Sequence, residues 1–177
     1  MKTWHIHFMR RNDEVKITWH EEPFHSGEIY HLWQYLYDLK LSGVILQVYM
    51  NHSNDKKLKD FIDNLLEHGY KEEHGKIEFI LKEIGVRLPP APPDRPHVDV
   101  KDIPAGARMN DDEISRLILD ELRQKMIQCS YLISLLTNES IIELFAHFHT
   151  HKINEMNKLI LLIKENGWYI QPPTHVK

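Results

Sequence analysis

Four stretches of the chain place apolar residues at alternating intervals of three and four, the spacing that lines one face of an α-helix. In the first, Leu32, Leu36, Leu39, Gly43, Leu46 and Met50 form the seam. Pro23 and Ser26 suit its start, with serine able to cap free amides, and it runs to about His52. Asn51-His52-Ser53-Asn54-Asp55 reads as a polar turn, in which Asn54 or Asp55 can cap the second helix. That helix runs to Ile84 with Leu58, Ile62, Leu65, Gly69, Ile77 and Ile80 near its buried side, and Gly85 stops it. The third opens at Asn110, with Asp111, Asp112 and Glu113 at its positive end, and its seam is Ile118, Leu122, Met126, Cys129, Ile133 and Leu136. After Thr137-Asn138 the fourth buries Ile141, Leu144, Phe145, Phe148, Leu159, Leu162 and Ile163, and Gly167 ends it.

Residues 86–109 separate the two hairpins and hold six prolines, too many for a helix. Extended chain covers about 3.1 Å per residue, so this segment can run the full length of a helix of some 30 residues, about 45 Å. One long crossover between the second and third helices of a four-helix bundle is the ferritin-like topology. Leu88, Val98, Val100 and Ile103 are apolar anchors that should lay the crossover along the bundle rather than leave it free. The predicted organisation is therefore an arm over residues 1–22 and an all-α, ferritin-like four-helix bundle over residues 23–177. In the arm, TWHIHF and EVKITWH alternate like strands, but two isolated strands are marginal, so an extended arm lying on the bundle is expected. Trp168 and Tyr169 should pin the tail.

With 177 residues, 42% of them hydrophobic, the chain fits one domain with one core. Its 22 Lys and Arg against 26 Asp and Glu give a net charge of −4, and no basic stretch interleaved with aromatics offers a phosphate-binding face, so nucleic acid is not an expected partner. The absence of an apolar run of about 18 residues argues against a membrane span. Cys129, the only cysteine, cannot form an internal disulfide, and MKTWHIHFMRRNDEV has charges where a signal peptide has an apolar stretch. A cytoplasmic location is the resulting expectation.

Histidine, with 13 copies, raises the question of a metal. Glu28 and His31 have the Glu-x-x-His spacing that sets a carboxylate and an imidazole one turn apart, as di-metal helical bundles use. The full pattern needs a second such pair and two more glutamates, and the chain does not supply them. What remains conceivable is a site for one Fe, Mn or Zn ion drawn from His25, Glu28, His31, Glu73 and His149, with Glu28 and His149 as its expected core. The competing expectation is that these groups form a buried hydrogen-bonded network without an ion. Cys129 lies at mid-seam, where a thiol behaves as a small hydrophobe. No phosphate loop or nucleophile elbow appears. A second stripe on the third helix, with Leu117, Ile127 and Tyr131, suits a homodimer contact or coverage by Trp4, Ile6 and Phe8 of the arm.

Five irregular strings, EPFHSGEIYHLWQYL, YMNHSNDKKLKD, LPPAPPDRP with IPAGARMND, FAHFHTHK and NGWYIQPPTHVK, resemble a family of uncharacterised, spore-coat-like proteins of spore-forming bacteria, related to coat-F-type bundles. The resemblance implies the helical bundle with its crossover, association with the spore and its coat proteins, and no agreed reaction. Such proteins often carry two bundles in tandem, where this chain has room for one. Two function classes follow: a non-catalytic structural or interaction protein, and a metal-binding bundle with oxidoreductase-like chemistry.

Overall fold

A computed structural model of the chain describes residues 23–175 in full and, among the first 22, the backbone of residues 5–7 and 16–18. Four long helical rods form its body. Helix α1 is Ser26–His52, and its cap is His25 rather than Ser26. The His25 Nδ1 accepts from the Glu28 amide at 3.2 Å while the Glu28 Oε2 accepts from the His25 amide at 3.2 Å, a reciprocal pair that satisfies two free donors of the first turn.

The second rod is interrupted. Helix α2, Lys56–Leu65, capped by Asp55 Oδ1 on the Leu58 amide at 2.8 Å, passes through one π turn, Leu66–Tyr70, into α3, Lys71–Glu83. The extra residue of a π turn lets both Gly69 and Tyr70 face inward. Gly69 also lies against the fourth rod: a Cβ there would stand 3.3 Å from Leu65 Cδ1 and 3.5 Å from His151 Cε1. Gly85, at φ +75°, ends α3 in a Schellman motif, with the Val86 amide on the Leu81 carbonyl at 2.9 Å.

Helix α4, Asp111–Leu135, begins with the reciprocal capping pair Asn110 and Glu113; α5, Glu139–Glu165, is capped by Asn138 and closed by Gly167 at φ +71°. Asp111 Oδ1 accepts from Ser53 Oγ at 2.7 Å and from the Asn54 amide at 2.9 Å, fixing the start of α4 to the end of α1. Lys57 pairs with Glu165 at 3.1 Å, so α2 starts where α5 ends. These ties set the directions: α1 and α5 run one way, and α2–α3 and α4 run the other.

The connection 86–109 contains only two short 3-10 turns, Val100–Asp102 and Ala105–Ala107. Side chains of α1 hold much of it. Trp33 Nε1 donates to the Arg87 carbonyl at 2.9 Å, Lys40 Nζ to that of Pro89 at 2.9 Å, and Asn51 Nδ2 to that of Pro96 at 2.9 Å, while Gln47 Oε1 accepts from the Arg95 amide at 2.7 Å. Leu88, Val98, Val100 and Ile103 are half-buried.

Leu32, Leu36, Leu39 and Leu46 of the first seam are buried, as are all six expected positions of the second rod and all seven of the fourth. Met50, Met126 and Ile133 are half-buried; in α4, Lys125 and Leu132 occupy the more inward positions beside Met126 and Ile133. Of the expected arm, strands β1, His5–His7, and β2, Lys16–Thr18, pair antiparallel with Ile6 opposite Ile17, and β2 lies beside α5. Trp4 and Phe8 lie outside the described residues. No helix among the described residues is long and apolar enough to cross a membrane.

Candidate functional site

Glu28 is 2% exposed, as its place on the seam requires, but its carboxylate is fully engaged. Oε1 accepts from the Thr137 amide at 2.8 Å, the Thr137 hydroxyl at 3.0 Å and the Asn138 amide at 3.1 Å. Burial alone would raise its pKa, but these donors and the His25 amide outweigh it and hold the carboxyl below the usual range. Glu28 thus staples the first turn of α1 to the turn between α4 and α5. His25 is its capping partner, and His31 stands one turn on, half-buried, edge-on to Tyr131 at 5.8 Å between ring centroids.

Glu73 points into the bundle centre, 3% exposed. There the two carboxylate oxygens accept from Lys152 Nζ at 2.6 and 2.7 Å, and Oε2 also accepts from the Tyr35 hydroxyl at 2.7 Å. Lys152 is itself 2% exposed and its Nζ lies 5.5 Å from the centroid of the Tyr70 ring. Tyr35 continues the chain to Cys129 Sγ at 3.6 Å, and Tyr70 donates to Glu121 Oε1 at 2.9 Å. Burial, reinforced by Glu73, keeps the Tyr35 phenol far from ionising; burial also pushes the Cys129 thiol up to about 11. Beside them Lys125 stands 5.7 Å from the Tyr35 centroid, its pKa lowered by burial despite Asp38 and Glu121 nearby. The network is arranged to hold charge and protons in fixed places. Its thiol is held protonated at neutral pH.

His149 is half-buried on α5. It stands eleven residues beyond Asn138, which binds Glu28, and at 1.5 Å per residue that is about 16 Å along the rod. The five sequence-derived ligands therefore stand in three places: His25, Glu28 and His31 at one end of α1, Glu73 in the centre, and His149 on α5. Among the described residues no group of three or more His, Cys, Asp or Glu side chains is placed to hold a metal ion. Lys125, Lys152 and Glu155 escaped the sequence reading although each sits at a seam position.

A second polar region lies at the edge of the same core. His68, Glu72, Glu73, His147 and His151 line one narrow cavity of about 10 Å³ between the π turn and α5, with Gly69 and Phe148 as its walls, so the cavity reaches the carboxylate of the central ion pair. It opens beside a wider groove of about 650 Å³ that His68 and His151 share with Asn64 and Glu155. His151 Nε2 lies 3.6 Å from Glu155 Oε1.

A family model described as "Protein of unknown function (DUF3231)" matches residues 13–177. A relative described as "Uncharacterized protein YvdQ", from Bacillus subtilis (strain 168), is 34% identical over 157 residues, 89% of this chain and 92% of the relative. Among solved structures, one of a protein described as a "putative spore coat protein", from Bacillus halodurans C-125, superposes with a TM-score of 0.85 at 37% identity over 88% of this chain and 98% of that one.

Proposed function

The chain belongs to the family described as "Protein of unknown function (DUF3231)", and from that premise we propose that it is a non-catalytic structural or interaction protein of the spore, built as a ferritin-like bundle with an internal ion pair at its centre. The observation that carries this reading is the saturation of Glu73. A central carboxylate that would otherwise draw a cation receives both oxygens' worth of donors from Lys152 and Tyr35. The neighbouring thiol is buried and protonated, which favours scaffold over catalyst. Spore association is supported by the description of the similar structure from Bacillus halodurans. The up-down-down-up order of the rods with one long connection supports the ferritin-like relation.

Self-association belongs to the same proposal. Leu117, Ile127, Tyr131 and Leu135 of α4 are 44%, 62%, 55% and 39% exposed, an apolar strip that the bundle itself leaves uncovered. A homodimer through this strip would give the single bundle a second one to pack against. Solution mass decides it: a dimer that Tyr131→Glu dissociates with helicity retained is the expected result, and a monomeric wild type refutes it. For the function, the chain expressed during sporulation in a spore-forming Bacillus should be recovered in the coat extract of purified spores. Recovery in the mother-cell lysate alone overturns the assignment.

A further inference from the structure

Helix α4 carries two seams. One faces the core; on the other, Leu117, Asp120, Gln124, Ile127 and Tyr131 are all exposed and follow one another at intervals of three, four, three and four. That is the heptad spacing by which one helix packs along another. A helix that only closes its own core needs one apolar stripe. The described strand β2 lies beside α5, and the outer seam of α4 stays exposed. His31 of α1 braces one end of it, edge-on to the Tyr131 ring at 5.8 Å between centroids.

The order of chemistry along this seam decides how a second copy would lie on it. In a parallel pair each position meets itself, so Asp120 would face the partner's Asp120 within a closed layer, where like charges repel. An antiparallel pair with its two-fold axis level with Leu122 changes every partner. Leu117 then meets the partner's Ile127, Asp120 meets the partner's Gln124, and Glu113 meets the partner's Tyr131. Apolar faces apolar, and each carboxylate faces an amide or a phenol able to donate to it. The two-fold makes each of these contacts twice. Glu113 Oε2 also accepts from the Asn110 amide at 2.8 Å, which holds that carboxylate in place at the end of the seam. We propose that α4 pairs with α4 of a second copy of this chain in this antiparallel register. The pairing rests on the self-association proposed for the same strip and adds direction and register to it.

Solution mass of the full chain comes first: a monomer removes the self-association reading and this register with it, whereas wrong crosslinks within a dimer remove the register alone. Leu117→Cys and Ile127→Cys are made singly, at exposed positions; Cys129 is buried, which leaves the introduced thiol as the reactive one. In the antiparallel register two copies of Leu117→Cys hold their thiols about 15 Å apart along the helix, ten residues at 1.5 Å each. A short bis-maleimide should therefore leave each variant uncrosslinked on its own and join the two in an equimolar mixture. Ready crosslinking of Leu117→Cys alone means a parallel pair and overturns the register. So does a mixture that is dimeric by mass yet gives no product. Gln124→Lys decides the matter without thiols, and serves if the cysteine variants no longer dimerise. It sets an ammonium opposite the partner's Asp120 twice per dimer and should tighten self-association about fivefold, the effect of two exposed ion pairs. In a parallel pair the same lysine meets itself, so unchanged or weaker association of Gln124→Lys overturns the register.

Discussion

Replacing Lys152 by methionine removes the ammonium that holds Glu73 and leaves a carboxylate 3% exposed with one remaining donor, the Tyr35 hydroxyl. Methionine fills nearly the same volume, so the change is chiefly electrostatic. Breaking a buried pair on one side costs about 3–5 kcal/mol, because the surviving charge is neither solvated nor paired. For a chain of this length about 1 kcal/mol moves the melting midpoint by roughly 2–4 °C, so Lys152→Met should melt about 6–20 °C below the wild type. The informative companion is Glu73→Met with Lys152→Met. Removing both ends of a buried pair is often neutral, so the double variant should recover most of the loss. Urea denaturation followed by circular dichroism gives the three free energies and their coupling. A single variant within about 1 kcal/mol of wild type, or a double variant as unstable as the sum of both singles, would refute the reasoning.

Glu28→Gln should cost about 2–3 kcal/mol at neutral pH, since charge-assisted hydrogen bonds contribute more than neutral ones and several converge here. The folded Glu28 carboxyl titrates below its ordinary value of 4.5, so its stabilisation is present above that value and lost as pH falls through the lower folded pKa. The gap between wild type and Glu28→Gln should therefore close in acid below about 4.5, read from urea midpoints across pH; a gap that widens in acid contradicts the staple. Cys129, with its thiol pushed up to about 11, has about one thiolate per thousand at pH 8 and is 0% exposed. Iodoacetamide should label it only as fast as the chain unfolds, checked by intact mass; prompt labelling of folded protein would show the core to be open.

Much of the bundle is legible in the sequence because seams and caps are local. Asp55, Asn110, Gly85 and Gly167 act where their chemistry predicts. The π turn was not legible: EHGY continues a helical pattern, and the extra residue is favoured by Tyr70 reaching Glu121 and by Gly69 meeting α5, both tertiary events. The polar centre was half legible. Glu73 reads as inward from periodicity, but its partner is a lysine. In the fourth seam, Lys152 and Glu155 fill the interval between Phe148 and Leu159 at the regular spacing, and in the third Lys125 lies between Leu122 and Cys129. A charged residue in register with a seam is the signal. It was missed because lysine is almost never fully buried unless paired.

The polar centre of the bundle is arranged to hold its rods in one register. At the centre, both oxygens of Glu73 accept from Lys152 and one of them also from Tyr35, with aromatic rings and the thiol closing the surroundings. Such a cluster favours one registry of α1, α3 and α5 over its neighbours, since sliding any rod by a turn would leave a charge alone in the core.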